Sequence, residues 1–138
     1  MKKYKNIELK SMMFVNNMNK KDEGKNFISQ QNEFLNIEKD ENTIKVPFMT
    51  KIYGFDENNV TKIKTQDNLD ITSDMSFFIE IIYTVNYDIG SDYDFESDEM
   101  KKQIIENLRP YIEETLSYIS GKLDIRRISL LDTEDILN

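Results

Sequence analysis

The sequence predicts an α+β fold, in which an antiparallel sheet of about four strands carries a kinked C-terminal helix on one face. A short closing segment, residues 125–131, follows the helix. Two patterns support this prediction. In residues 77–89 every odd position is apolar, and a period of two is typical of a strand with one buried face. In residues 98–120 apolar side chains recur every three or four positions, as on an amphipathic helix. Each apolar face needs a cover, and each can cover the other.

The composition excludes several kinds of chemistry. The chain has 138 residues, which fits one domain with a real core, and we expect a single domain over residues 1–138. It contains no cysteine and no histidine. Disulfides and thiolate metal sites are therefore excluded, and the commonest general base and transition-metal ligand is missing. We expect a protein that is not an enzyme and that binds no cofactor and no metal.

Charge and hydropathy limit the kinds of partner that the protein can have. The net charge is −8 and the pI is near 4.6, whereas a nucleic-acid binder normally presents a basic face. We therefore expect neither nucleic acid nor a membrane as a direct partner. No apolar run approaches the length that spans a bilayer, and the basic start of the chain is not followed by the apolar region of a secretion signal. These features predict a cytoplasmic protein.

The chain before residue 77 predicts the remaining strands. Residues 7–15 form the first, with apolar side chains on both sides: Ile7, Leu9, Met13 and Val15 on one, Met12 and Phe14 on the other. Residues 16–32 are polar and predict a long loop that carries Phe27 and Ile28. A short strand at 34–38 and a turn at 40–42 precede a longer strand at 43–55, where Pro47 requires an edge, a bulge or an outward-facing nitrogen. Residues 60–65 and 69–71 are compatible with a small hairpin.

The helix has recognisable ends. Ser97 is a good N-cap, and the acidic residues that follow it suit the positive end of the helix dipole. Pro110 predicts a kink or a restart, because proline fits the first turn of a helix and not its middle. Gly121 is a natural C-terminal stop. The closing segment is predicted to be extended, and Asp132 to cap a last helical turn.

Residues 108–120 read Leu-Arg-Pro-Tyr-Ile-Glu-Glu-Thr-Leu-Ser-Tyr-Ile-Ser and resemble the Pro-Tyr helix of SecB-type chaperones. In that family a strand leads to a Pro-Tyr step and a helix that ends in small polar residues, followed by a short apolar segment and a last helix. The order of the upstream strands is also similar, so the resemblance spans nearly the whole chain in outline. The sequence departs from the family at residues 87–90, at Asp132-Thr133, which replace paired prolines, and in a longer link between residues 55 and 76.

The resemblance implies a holdase, a chaperone that binds unfolded polypeptide in apolar grooves and keeps a client competent for translocation or assembly. It also implies a homo-oligomer, a dimer of dimers, with an unfolded client, an export motor of the SecA type or an antitoxin as partner. SecB docks SecA through acidic residues on its first and last strands. Glu80 resembles the last-strand position, but Ser11 and Val15 stand at the first-strand positions. This departure favours a dedicated SecB-like chaperone, as in toxin–antitoxin systems.

Apolar side chains supply the candidate binding residues. Met-rich surfaces adapt to varied partners, and the chain has seven Met, eight Phe and seven Tyr. We expect a client groove lined by Met12, Phe14, Phe27, Phe34, Phe48, Tyr111 and Ile112. We expect a partner or subunit contact on the outward face of the last strand, at Phe78, Glu80 and Ile82. The alternative for each residue is ordinary packing in the core or against a second sheet.

Charged residues leave other interpretations open. The acidic residues of 91–99 suit calcium binding or helix capping, and the missing EF-hand pattern favours capping. Glu113 and Glu114 favour an exposed helix face, and Arg126-Arg127 favours pairing with acids. The alternative function is an acidic inhibitor or adaptor from a mobile element that binds one folded, basic target. A carboxylate enzyme would require two acids that converge in a pocket.

Overall fold

A computed structural model describes residues 4–17, 26–56 and 75–138. The elements in chain order are β1 (Asn6–Asn16), β2 (Asn26–Phe34), β3 (Glu38–Lys39), β4 (Thr43–Asp56), β5 (Phe77–Asp88), α1 (Asp98–Leu123) and α2 (Thr133–Leu137). The antiparallel sheet with a C-terminal helix packed on it confirms the predicted α+β class. The hairpin predicted at 60–65 and 69–71 lies outside the described residues.

The sheet has the strand order β1-β5-β4-β2, and all its pairs are antiparallel. The short strand β3 pairs with the first part of β4, on the same side as β2. Pro47 lies opposite the break between β2 and β3, where its carbonyl accepts a hydrogen bond of 2.9 Å from the Leu35 N–H. In an antiparallel strand a residue's nitrogen and carbonyl point to the same side. The nitrogen of Pro47 therefore faces the break, and a central strand tolerates the proline.

Two sequence predictions around β2 are wrong. Residues 26–34 form a strand and not a loop, and the predicted strand at 34–38 is replaced by the link from β2 to β3. The reason is that β2 is an edge strand with polar side chains on both faces, so it has no apolar alternation to detect. The predicted turn at 40–42 is confirmed, because Asp40 accepts hydrogen bonds from the N–H groups of Asn42 and Thr43 at 2.9 and 2.7 Å.

A β-bulge in β1 changes which side chains share a face. Leu9 lies opposite Tyr83, but Ser11 lies opposite the next residue, Ile82, so Lys10 is the extra residue. One inserted residue reverses the alternation. Met12 and Phe14 therefore share the helix-side face with Ile7 and Leu9, while Met13 and Val15 lie on the other face. The predicted grouping of Met13 and Val15 with Ile7 and Leu9 is wrong for this reason.

The core lies between α1 and the helix-side face of β4 and β5. The odd positions of β5 are buried, as predicted, whereas Ile89 at the end of the predicted run lies beyond the strand and is exposed: the buried positions are Phe77, Ile79, Ile81, Tyr83, Val85 and Tyr87. Helix α1 buries an apolar stripe against them: Met100, Ile104, Ile105, Leu108, Ile112, Leu116, Ile119 and Leu123. Burial raises the pKa of Tyr87 to about 12, so its hydroxyl stays protonated. The predicted strand–helix unit is therefore the core of the molecule.

Helix α1 begins where it was predicted to begin and continues further. The Ser97 hydroxyl accepts a hydrogen bond of 3.2 Å from the Met100 N–H, which confirms the N-cap. The helix runs without a break through Pro110, and it ends beyond Gly121, with Asp124 in the left-handed conformation at φ 54°. Of the kink or restart predicted at Pro110, the restart is wrong, because buried Leu108 and Ile112 hold the chain against the sheet on both sides of the proline, and the kink stays a prediction.

The closing segment, residues 125–131, forms neither a helix nor a paired strand, and burial alternates over residues 128–131, as in the extended chain that was predicted. Its side chains of Ile128 and Leu130 belong to the core, whereas Leu131 is exposed. Asp132 is the residue before α2, and its carbonyl, not its side chain, accepts from the Asp135 N–H at 3.0 Å. Within the parts of the chain that are described, α1 and α2 are either too short or too polar to cross a bilayer.

Gly54→Ala is expected to destabilise the fold by about 1–3 kcal/mol, because a Cβ atom there would overlap the ring of Phe77 and overpack the core. Urea unfolding followed by circular dichroism measures the change. Gly90→Ala is the matched control, since nothing lies within 4 Å of its added Cβ atom. Equal stabilities of the two variants would contradict the described packing of β4 on β5.

The stability contributed by Glu8 is expected to depend on pH. Its Oε1 accepts a hydrogen bond of 2.6 Å from Asn86 Nδ2, and this bond lowers the pKa of the Glu8 carboxyl below its ordinary value of 4.5. A carboxyl with a lowered pKa stabilises the fold above its unfolded pKa and loses this effect as the pH falls through its folded pKa. Glu8→Gln should therefore be less stable than the parent at pH 7, and the difference should close in unfolding curves measured below pH 4.5. A difference that persists in acid would contradict this cause.

Candidate functional site

Many large apolar side chains remain exposed to solvent. Ten of them in the described residues are 38–53% exposed: Tyr4, Leu9, Met12, Met13, Phe27, Ile28, Ile89, Tyr111, Tyr118 and Leu131. Most lie on the edge strands β1 and β2 or on α1, and not over the central strands. Clustered apolar exposure is typical of surfaces that bind other proteins. The site therefore has two parts, one at each edge of the sheet.

The first part, the β1–α1 surface, consists of Leu9, Met12, Tyr111 and Tyr118. Leu9 lies opposite Tyr83 on β5, and the ring of Tyr83 lies 6.1 Å from that of Tyr111. This contact brings an exposed position of β1 close to an exposed position of the helix. The surface therefore combines exposed apolar side chains of the sheet edge with exposed tyrosines of the helix, and the charged Glu114 lies between the two tyrosines in the sequence.

Hydrogen bonds fix Tyr83 beneath this surface. Its hydroxyl is hydrogen-bonded to the hydroxyl of Thr115 at 2.5 Å and lies 3.2 Å from the Tyr111 carbonyl. Thr115 also donates to that carbonyl, at 3.0 Å. Because Tyr111, Thr115 and Tyr118 follow the four-and-three spacing of one helix stripe, the two exposed tyrosines lie on the same side of α1.

A cleft adjoins the β1–α1 surface. It has a volume of about 430 Å³ and is lined by Tyr4, Glu106, Asn107, Pro110, Tyr111 and Glu114. Two aromatic rings and two carboxylates line this space, but Glu106 and Glu114 lie about two helical turns apart and both are exposed. The cleft offers an open binding surface and not an enclosed catalytic pocket.

The second part, the β2 edge, consists of Phe27, Ile28 and the outward main chain of β2. Phe27 and Ile28 are 47% and 52% exposed and lie on opposite faces of the sheet. The Leu35 N–H points to β4, where it donates a hydrogen bond to the Pro47 carbonyl. By alternation, the main-chain groups of residues 28, 30, 32 and 34 point away from β4. No hydrogen bond between described residues uses these groups.

The β2 edge lacks the devices that usually protect an edge strand. Its pairing with β4 has no bulge over the nine residues of the strand, and the strand contains no proline and no lysine. Glu33 is its one charged residue. An edge of this kind can accept a further extended segment through main-chain hydrogen bonds.

The outer face of β5 is more covered than the sequence predicts. Phe78 is buried in a small cluster with Phe55 and Met75. Glu80 pairs with Lys51 at 4.0 Å, and Ile82 is half-buried. Phe78 is therefore not accessible to a partner in this chain by itself, while contact of a partner with Glu80 and Ile82 stays a prediction.

The predicted client residues divide by burial. Met12, Phe27 and Tyr111 are exposed, and Phe14 and Phe34 are half-buried against the core. Phe48 and Ile112 are 1% exposed, so a client cannot touch them unless the fold opens. Both side chains lie in the core, where the sheet and the helix face each other. The apolar pattern of the sequence is the same for a side chain in the core and for one that lines an open groove.

Leu9, Ile28 and Tyr118 were missed as surface residues. Leu9 and Ile28 lie on edge strands, and an edge position can be found only once the strand order is known. Tyr118 had a usable signal, because it lies seven residues after Tyr111 on the same helix stripe.

Phe34 borders a small cavity at the break between β2 and β3. Its ring meets that of Phe48 edge-on at 4.9 Å, and Lys101 Nζ lies 5.8 Å from its centroid. The cavity is about 190 Å³ and is also lined by Val46 and Phe95. This volume admits a side chain rather than a folded partner.

The acidic loop supports the residue that caps the helix, because the hydroxyl of the N-cap Ser97 donates to the Asp94 carbonyl at 2.8 Å. Asp94 accepts hydrogen bonds from the N–H groups of Glu96 and Ser97, both at 3.1 Å. Across residues 4–17, 26–56 and 75–138 no cluster of three acidic side chains could hold a metal ion. Arg127 pairs with Glu113 at 3.6 Å, which confirms an acid-pairing role for that arginine.

No protein-family model matches this sequence, and no curated protein matches it. Among solved structures, the chain is similar to the Mycobacterium tuberculosis Rv1957 SecB-like chaperone in complex with a ChAD peptide from the Rv1956 HigA1 antitoxin. The TM-score is 0.60 at 12% sequence identity, and the match covers 94% of this chain and 88% of that chain. At this identity the likeness is one of fold. The SecB-like fold that residues 108–120 predicted is confirmed.

Proposed function

We propose that this protein is a chaperone that binds extended, apolar segments of non-native polypeptide without making or breaking bonds. The observation that carries the proposal is the exposure of large apolar side chains at both edges of a sheet with a SecB-like fold. Such side chains lose unfavourable contact with water when a client covers them.

Several weak contacts are better suited to this task than one strong contact. When a client covers a half-exposed Phe or Ile, some tens of Å² of apolar surface are removed from water. The free energy gained is about 25 cal/mol per Å² of apolar surface buried. One such contact is therefore worth about 1 kcal/mol or less. Contacts along one client chain act together, because the first contact raises the effective concentration of the next. The protein can then hold many sequences and still release them.

We assign the client to the β2 edge. Phe27 and Ile28 offer apolar contacts on both faces, and the outward main-chain groups of β2 offer hydrogen bonds that do not depend on the client's sequence. The net charge of −8 would keep the loaded complex soluble. Phe34, at the other end of β2, is half-buried and extends the same edge.

We assign the β1–α1 surface to a second copy of the chain. Edge strand β1 has apolar side chains on both faces, with Leu9 and Met12 on one and Met13 on the other. A second β1 would extend the sheet and cover these residues, and Tyr111 and Tyr118 would contact its helix side. This assignment moves Met12 and Tyr111 from the predicted client groove to a subunit contact. This contact would give a dimer, and the second contact that the expected dimer of dimers needs stays a prediction.

A dedicated client suits this chain better than general export. The structural neighbour is in complex with an antitoxin peptide, and we extend that kind of client to this protein. Glu80, the one residue that resembles an acidic docking position for an export motor, pairs here with Lys51 at 4.0 Å. Ser11 and Val15 carry no charge at the other positions.

The holdase activity is expected to prevent aggregation of a chemically denatured enzyme diluted into buffer, at about one chaperone subunit per client chain. Light scattering measures it. Phe27→Asp and Ile28→Asp should each weaken the protection several-fold, because a charge at a contact worth about 1 kcal/mol opposes burial. Ile89→Asp is the matched control, since Ile89 is 44% exposed and lies outside both edges.

Protection that is absent at stoichiometric amounts would refute the chaperone proposal. Tight, salt-sensitive binding to one folded basic protein would then support the acidic inhibitor instead.

The subunit contact is expected to depend on the β1–α1 surface. Leu9→Asp and Met12→Asp should each reduce the mass measured under non-denaturing conditions, because each places a charge in an apolar contact. Lys10→Asp changes charge on the same strand without altering its apolar surface and is the control. A monomeric parent chain would contradict the proposed oligomer, and unchanged masses of both variants would place the contact elsewhere.

A further inference from the structure

The closing segment lies as an extended chain in a groove between β2 and α1. Ile128 and Leu130 are 6% and 5% exposed, while Ser129 between them and Leu131 after them are exposed. Alternate side chains therefore point into the groove and out of it, as in a strand. No other strand pairs with this segment among the described residues, so its main chain must be satisfied in another way.

A side chain of β2 binds the main chain of the segment. Gln30 Nε2 donates to the Ser129 carbonyl at 3.0 Å, and Gln30 Oε1 accepts from the Leu131 N–H at 2.9 Å. The amide group thus makes the pair of hydrogen bonds that a neighbouring strand would make. A hydrogen bond of 2.9 Å from Asn32 Nδ2 to Gln30 Oε1 holds the amide in place, and Thr50 Oγ1 donates to Asn32 at 2.7 Å.

Two side chains of α1 bind the same main chain from the opposite wall. Glu113 Oε1 accepts from the Leu130 N–H at 2.9 Å. Arg109 donates to the carbonyls of Leu130 and Leu131, at 3.3 and 2.9 Å. Every main-chain polar group from the Ser129 carbonyl to the Leu131 carbonyl is therefore bound by a side chain of β2 or α1.

These contacts recognise a backbone and not a sequence. The three polar side chains bind groups that every residue except proline possesses, and the two apolar positions require only side chains that can be buried. A groove built in this way accepts any extended segment with apolar residues at positions i and i+2. The closing segment is one such segment, and it is part of the same chain.

We propose that this groove is a receptor site for extended client polypeptide, and that the closing segment is its resident occupant, which a client segment displaces. The inference rests on the proposed chaperone function and names the site. The apolar surface of β2 continues from the groove, because Ile28 lies two residues from Gln30 on the same face and is 52% exposed. A client segment longer than the closing segment would cover Ile28 as well and would therefore gain a contact that the occupant lacks.

Displacement makes client affinity depend on how firmly the occupant is held. The apparent Kd equals the intrinsic Kd divided by the fraction of molecules with an open groove. Truncating an apolar side chain of the occupant weakens closure and leaves the groove unchanged. Ile128→Ala and Leu130→Ala should therefore bind a client more tightly than the parent, by about tenfold.

The experiment measures affinity with a permanently unfolded, reduced and carboxymethylated protein and with a free peptide that copies residues 125–132. Leu131→Ala is the matched control, since it truncates the neighbouring exposed side chain and keeps the main-chain contacts. A control peptide carries serine in place of Ile128 and Leu130. Tighter binding by Ile128→Ala and Leu130→Ala, with no change in Leu131→Ala and no binding of the control peptide, would support the proposal.

Hydrogen exchange in the unmodified chain provides a readout that does not depend on how the variants fold. Saturation with the unfolded protein should speed exchange of the Leu130 and Leu131 amides by tenfold or more, because they lose Glu113 and Gln30 as acceptors. The amides of α1 around Leu116 should not change.

The outcomes separate this inference from the proposed function. Client binding with unchanged exchange at Leu130 and Leu131 would overturn the receptor site and leave the chaperone function standing. Faster exchange that depends on chain concentration without client would show exchange of closing segments between copies and would overturn the client as occupant. Absence of any client binding would overturn both proposals.

Discussion

The contact between helix α1 and the central strands β4 and β5 is the interaction on which the rest of the structure depends. The apolar stripe of α1 is buried against the helix-side face of these strands, and Phe95, Ile128 and Leu130 complete the same core. Burial of this extent is the dominant favourable term in folding. It also decides that α1 passes through Pro110 without a break, since Leu108 and Ile112 must both reach the core.

A fold held at its centre leaves its edges available. Helix α1 covers β4 and β5 well, but the outer strands keep exposed Leu9, Met12, Phe27 and Ile28. The edges also carry main-chain groups that the sheet does not use. Apolar side chains beside free main-chain donors and acceptors are the two components that an unfolded polypeptide needs from a partner. A protein without cysteine or histidine can therefore have a function based on surfaces alone.

The two edges differ in ways that favour different partners. Strand β1 has a bulge at Lys10 and apolar side chains next to those of α1, so a large rigid surface can match it. Strand β2 is regular, nearly uncharged and next to a groove that already binds an extended segment of the chain. The side chains of Gln30, Arg109 and Glu113 connect this groove to both the sheet and the helix. The C-terminal part of the chain thus closes the fold by lying in this groove.

The elements with one fully buried face were predictable from the sequence. The structure confirms the alternation in β5 and the apolar stripe of α1. It also confirms two features with local signals, the cap at Ser97 and the turn at Asp40. Of the predicted client residues, Met12, Phe27 and Tyr111 are exposed, but the same kind of pattern also selected buried Phe48 and Ile112. An apolar side chain looks the same in a sequence whether it faces a helix or solvent.

The amino-acid sequence by itself determined the two central layers, because a large apolar face imposes its period on the residues that form it. Only the tertiary structure decided what the edges do. The bulge at Lys10 reverses the faces of β1 by a single residue, and β2 becomes a strand through pairing with β4 and not through its own pattern. Gln30 meets Ser129 and Leu131 across about a hundred positions of sequence. Such contacts depend on distance in space, which no local periodicity records.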